Sequence, residues 1–86
     1  MIRIVVLDKN FVVVGLFTDE GNGWLSVDNA AVVRRWGTTR GLGEIAKDGP
    51  TPNTILDASP KMRFPLRSVV NTIECVAEKW SKALER

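Results

Sequence analysis

Apolar and polar positions fall in blocks along this chain, and most of the blocks read as strands. Ile2 to Leu7 is β-branched and apolar, Asp8-Lys9-Asn10 is a turn signal, and Phe11 to Phe17 is a second apolar run. Together they predict a β-hairpin. The second run is apolar on both faces, with Phe11, Val13 and Phe17 on one side and Val12, Val14 and Leu16 on the other. A strand of that kind must be covered twice. In so short a chain, the second cover is expected to be a C-terminal helix or another subunit.

Thr18 to Gly23 is polar and glycine-containing, so it predicts a loop or hairpin turn. Gly23 to Val27 alternates and reads as a third strand, and Asp28-Asn29 signals a turn or bulge. Ala30 to Trp36 is read as a further strand, with a short helix as the alternative. Leu42, Ile45 and Ala46 mark one helical face. Gly49-Pro50 stops it, so a short helix is expected from about Gly41 to Asp48.

Residues 49–53 read as an extended loop, Thr54-Ile55-Leu56 as a short strand, and Ser59-Pro60-Lys61 as a turn. Met62 to Leu66 alternates, and Pro65 places it at an edge or bulge. Ser68 to Val76 predicts a strand. Ala77 to Arg86 predicts a helix with Trp80, Ala83 and Leu84 on one face. The expected architecture is α+β. It has a small antiparallel, partly barrel-like sheet, one short internal helix and a C-terminal helix, all in a single domain over residues 1–86.

Composition narrows the chemistry. The 86 residues contain no histidine and one cysteine, Cys75. Without histidine the usual general base and the commonest metal ligand are missing. No short-spaced carboxylate cluster takes their place. The expectation is a non-enzyme without catalytic residues, metal or cofactor. Cys75 has no partner for an internal disulfide and is read as a small apolar residue of a strand, consistent with a reducing, cytoplasmic setting. No run approaches the roughly 18 apolar residues of a membrane span, and Met1-Ile2-Arg3-Ile4 does not read as the basic region and small-residue cleavage site of a signal peptide. Formal net charge is only +2, from 12 basic and 10 acidic residues. That argues against nucleic acid as a partner.

The local balance differs. From Asn29 to Gly43 there is no acidic residue, while Arg34, Arg35 and Arg40 flank Trp36, Thr38 and Thr39. Guanidinium forks hold phosphate oxygens, hydroxyls and bare glycine backbone add donors, and an indole stacks on a base. If the stretch links a strand to the short helix, the helix N-terminus also faces it. The spacing of Gly37, Gly41 and Gly43 is neither a Walker loop nor a dinucleotide fingerprint. The six residues Arg34, Arg35, Trp36, Thr38, Thr39 and Arg40 are the candidate ligand site. The competing reading puts Trp36 in the core and pairs the arginines with Asp28, Glu44 or Asp48. Strand geometry also separates Arg34 from Arg35 onto opposite faces unless a bulge intervenes. Of the other tryptophans, Trp80 is expected in the core, and Trp24 either there or at an interface.

The run Asn29-Ala30, Trp36-Gly37 and Leu42-Gly43-Glu44-Ile45-Ala46-Lys47-Asp48-Gly49 resembles a family of small, functionally uncharacterised tailed-phage and prophage proteins. The resemblance covers most of the chain in order of elements and is detailed only from Asn29 to Gly49. It implies an N-terminal hairpin, a short internal helix and a C-terminal helix. It also implies a phage accessory role in the host cytoplasm, blunting host defence. Some such proteins bind a host protein; others are oligomeric sponges for a cyclic nucleotide or ADP-ribose-type messenger. The resulting expectation is a homo-oligomer that sequesters a phosphorylated nucleotide at Arg34–Arg40. The alternative is a protein-interaction module, acting on a host protein or serving in a virion.

Overall fold

The computed structural model describes residues 1–38 and 40–84. Its elements are β1 (Ile2–Leu7), β2 (Phe11–Asp19), β3 (Trp24–Arg35), α1 (Leu42–Asp48), β4 (Ile55–Ala58), β5 (Met62–Pro65), β6 (Val69–Glu74) and α2 (Ala77–Trp80). The six strands form one antiparallel sheet in the order β4-β3-β2-β1-β6, with β5 also on β3. The protein is therefore α+β, and its sheet is not a closed barrel. The expected ten-residue C-terminal helix is shorter. Four residues are α-helical, and turns run on through Leu84 with bonds from Ser81 N to Ala77 O and from Leu84 N to Trp80 O. Glu85 and Arg86 lie outside the described residues.

The two strands expected over Gly23–Val27 and Ala30–Trp36 are one strand, β3, bent in the middle. Val14 pairs with Ala31 but Leu16 pairs with Asp28, so Gly15 alone faces Asn29 and Ala30. This is the bulge signalled by Asp28-Asn29. Asn29 takes the left-handed conformation at φ 49°, which asparagine tolerates better than most residues. Gly15 is required opposite: a Cβ there would sit 2.7 Å from the Asp28 carbonyl oxygen. The bulge lets one half of β3 pair with β5 and the other with β4.

That bend goes with a β2 covered on both faces only in its middle, from Val12 to Gly15; Phe11 and Leu16, expected on the two covered faces, are exposed. Val12 and Val14 pack with Ile2, Ile4, Ala31 and Val33 beneath Ile45 and Ala46 of α1 and Trp80 and Leu84 at the C-terminus. Val13, with Val5, Leu7, Val27 and Ala30, faces the other way and is covered by Met62, Phe64 and Val69. The cover is supplied from within: helices on one side, β5 and the start of β6 on the other. The expectation that a second subunit is one of two possible covers thus loses its basis. Trp80 is fully buried, and its indole Nε1 donates to the Ile45 carbonyl at 2.9 Å, tying the C-terminal segment to α1. Cys75 is buried as expected, although it lies one residue past β6.

Candidate functional site

The candidate residues lie where β3 runs out. Ladder pairing puts Val33 opposite Leu56 and Arg35 opposite Ile55, so a second register shift falls at Arg34. A bulge of this kind suspends strict alternation, so the argument for separating Arg34 from Arg35 fails. Both are exposed. The Arg34 Nε stands 2.8 Å from the Asp57 Oδ2 on β4, in an ion pair whose side chains are each more than half exposed. The partner is not Asp28, Glu44 or Asp48. Among the described residues, Arg35 and Arg40 make no ion pair, and Arg40 is also exposed.

Trp36 is 43% exposed. Its placement in the core is thereby overturned. Trp36, Gly37 and Thr38 belong to no strand or helix, yet their backbone is held. The Thr54 hydroxyl donates to the Trp36 carbonyl at 2.7 Å, and the Thr51 hydroxyl donates to the Gly37 carbonyl at 2.8 Å. Gly37 has φ 67° and is pressed so closely on the Asn53–Thr54 peptide that a Cβ would lie 2.6 Å from Thr54 N. Thr38 Oγ1 accepts from Gly41 N at 2.9 Å, closing the turn into α1. Thr39 falls outside the described residues.

The helix terminus contributes less than expected. α1 has seven residues, is preceded by Gly41 with no side-chain cap, and carries Glu44 in its first turn. Thr38 already occupies the Gly41 amide. The chemistry of the site therefore rests on exposed side chains that lie close in sequence: Arg34, Arg35, Trp36 and Arg40. Thr51, Thr54 and Asp57 are not among the six residues predicted for the site. The signal available was the pair of hydroxyls at i and i+3 in Thr51-Pro52-Asn53-Thr54, but nothing local shows that such hydroxyls reach back across more than ten residues.

Two other places carry polar or apolar features. A cleft of about 520 Å³ is lined by Met1, Ile2, Glu74, Cys75, Val76 and Ala77, none of them a candidate residue. Burial pushes the Cys75 thiol up to about 11, outweighing the Ile4 backbone contact and the Arg3 charge that pull it down. The thiol is thus no nucleophile near neutral pH. At the start of β3, Trp24 is 38% exposed, with the Arg63 guanidinium 4.8 Å over its ring. Glu20 grips Arg63 through both carboxylate oxygens at 2.9 and 3.0 Å, which holds the Glu20 carboxyl below its usual range. Trp24 opens β3 and Trp36 directly follows its last residue, so the two tryptophans stand at opposite ends of the strand.

No protein-family model matches the chain, and no curated protein matches it. No helix among the described residues is long and apolar enough to cross a membrane.

Proposed function

We propose that this chain is a non-enzymatic binding protein that holds a small phosphorylated nucleotide at the Trp36 loop. The observation that carries the reading is an exposed tryptophan on a backbone pinned by two hydroxyl–carbonyl bonds, with exposed arginines before and after it in the chain. A base stacked on such a ring gains about 1–3 kcal/mol. Guanidinium groups match phosphate oxygens in bidentate fashion. An exposed tryptophan on a held backbone has less freedom left to lose on binding than one on a loose connector. The antiparallel sheet serves as the scaffold that presents this loop.

A chain without histidine is suited to holding such a ligand rather than transforming it. In the tailed-phage setting that the resemblance implies, this amounts to counter-defence. The protein sequesters an immune messenger in the host cytoplasm, and copies of the chain act together where the ligand bridges them. Calorimetry against cyclic di- and trinucleotides and cyclic ADP-ribose isomers tests it. The expected result is micromolar or tighter binding to at least one, abolished by Trp36→Ala. Silence across the whole panel overturns the reading.

One observation favours a second reading, a protein-interaction module directed at a host protein or a virion component. Trp24 and Leu66 are exposed at the far end of β3, and Trp and Arg are favoured interface anchors. A stoichiometric partner recovered from nuclease-treated lysate, and lost with Trp24→Ala, supports that reading over the first.

A further inference from the structure

The segment 51–54 is more than a connector between α1 and β4. We infer that Thr51 and Thr54 are positioning residues of the Trp36 site, fixing the loop so that the indole is presented in one orientation to its ligand. This rests on the reading of that loop as a nucleotide site.

The bonding of the two hydroxyls is fully accounted for. Each threonine has a single hydroxyl proton. That of Thr54 goes to the Trp36 carbonyl and that of Thr51 to the Gly37 carbonyl. The 3.2 Å separation between the two hydroxyl oxygens therefore needs no hydrogen bond between them; it follows from their crossing to adjacent carbonyls. As acceptors, Thr54 Oγ1 takes the Thr51 amide at 2.9 Å and Thr51 Oγ1 takes the Asn53 amide at 3.1 Å. The Thr54 amide closes the turn on the Thr51 carbonyl at 3.0 Å.

The turn is thus a self-bonded unit whose two remaining donors both point at the backbone of residues 36 and 37. Gly37, pressed against Asn53 and Thr54, lets the two segments meet without an intervening side chain. Ladder pairing of β3 ends at Arg35. Beyond it, these contacts from 51–54 replace strand pairing as the hold on Trp36. Rigid support behind a binding side chain raises affinity by removing the cost of ordering it.

The test uses the full chain labelled with 5-fluorotryptophan, the Trp36 signal being assigned with Trp36→Phe. In Thr51→Val/Thr54→Val the Trp36 fluorine resonance is expected to move toward its position in the urea-unfolded chain, while those of Trp24 and Trp80 stay. Titration with the same cyclic nucleotides is expected to show at least ten-fold weaker binding, through faster release. Thr51→Ser/Thr54→Ser, which keeps both hydroxyls, restores both readouts. Should the double valine variant fail to fold by circular dichroism, Thr54→Val alone removes the donor to Trp36 and gives the same comparison. A Trp36 resonance that stays put, or a valine variant binding as tightly as wild type, overturns the positioning role. Wild-type protein that binds none of the nucleotides overturns the site reading itself, a different result.

Discussion

At the scale of single residues, the first question is whether Arg34 serves the fold or a ligand. Its ion pair with Asp57 joins side chains that are each more than half exposed. Exposed pairs of this kind contribute about 0.2–1 kcal/mol and weaken with salt. A double-mutant cycle with Arg34→Ala and Asp57→Ala should give a coupling energy in that range at low salt and close to nothing at 0.5 M. A coupling well above it would make Arg34 a structural residue and remove it from the site. Cys75 is the second residue with a sharp expectation. With its thiol raised to about 11 by burial, about one thousandth is thiolate at pH 8. Native protein should react with a disulfide reagent far more slowly than unfolded protein. A folded-state value above the unfolded one favours the protonated form. Its contribution to stability is full below the unfolded thiol's range and is lost as pH climbs through 9 toward 11. Stoichiometric native labelling within seconds at pH 8 would contradict the buried placement.

At the scale of elements, the bulge in β3 is the device on which the rest depends. Gly15 faces Asn29 and Ala30, and any side chain at 15 meets the Asp28 carbonyl and the Val27 side chain. Gly15→Ala is expected to destabilise the fold by about 1–3 kcal/mol, the range for overpacking a core. Asn29→Gly, which keeps the left-handed conformation available, should be nearly neutral. Denaturant midpoints check both, and a Gly15→Ala midpoint equal to wild type would dismiss the steric argument. This element also shows what the sequence discloses. Asp28-Asn29 announces a bulge because its chemistry is local, and the first hairpin and α1 are legible for the same reason. The continuity of β3 across the bulge is not, since the partners on its outer edge, β4 and β5, come from residues 55–65. The same division holds at the site. Arg34, Arg35, Trp36 and Arg40 are recognisable as a concentration of one chemistry. Asp57, Thr51 and Thr54 reach them only through tertiary pairing, and no spacing rule connects 36 to 54. The C-terminal helix was overextended because Ala77–Arg86 has helical residues throughout. Short helices depend on packing more than propensity, and here Trp80 and Leu84 are the points that dock.

At the scale of the whole molecule, the two apolar faces of β2 decide whether folding requires a second copy. A strand buried on both sides and covered on only one would force association, because an uncovered Val13, Val5 and Val27 face would leave a large apolar patch. Instead, Met62, Phe64 and Val69 cover that face from the same chain. The Cα radius of gyration is 11.9 Å, matching the ~12 Å expected for a compact chain of this length. Self-association is therefore not expected as a condition of folding, whatever a bound ligand does afterwards. Without ligand, the thermal midpoint should be independent of protein concentration between about 5 and 500 µM, because only a folding-linked association makes it concentration-dependent. A midpoint that climbs with concentration across that range would show that folding and association are linked, and that the cover from β5 and β6 is insufficient by itself. The same experiment with a bound nucleotide separates the two roles of a second copy. Concentration dependence that emerges only with ligand present assigns association to the Trp36 site rather than to the core.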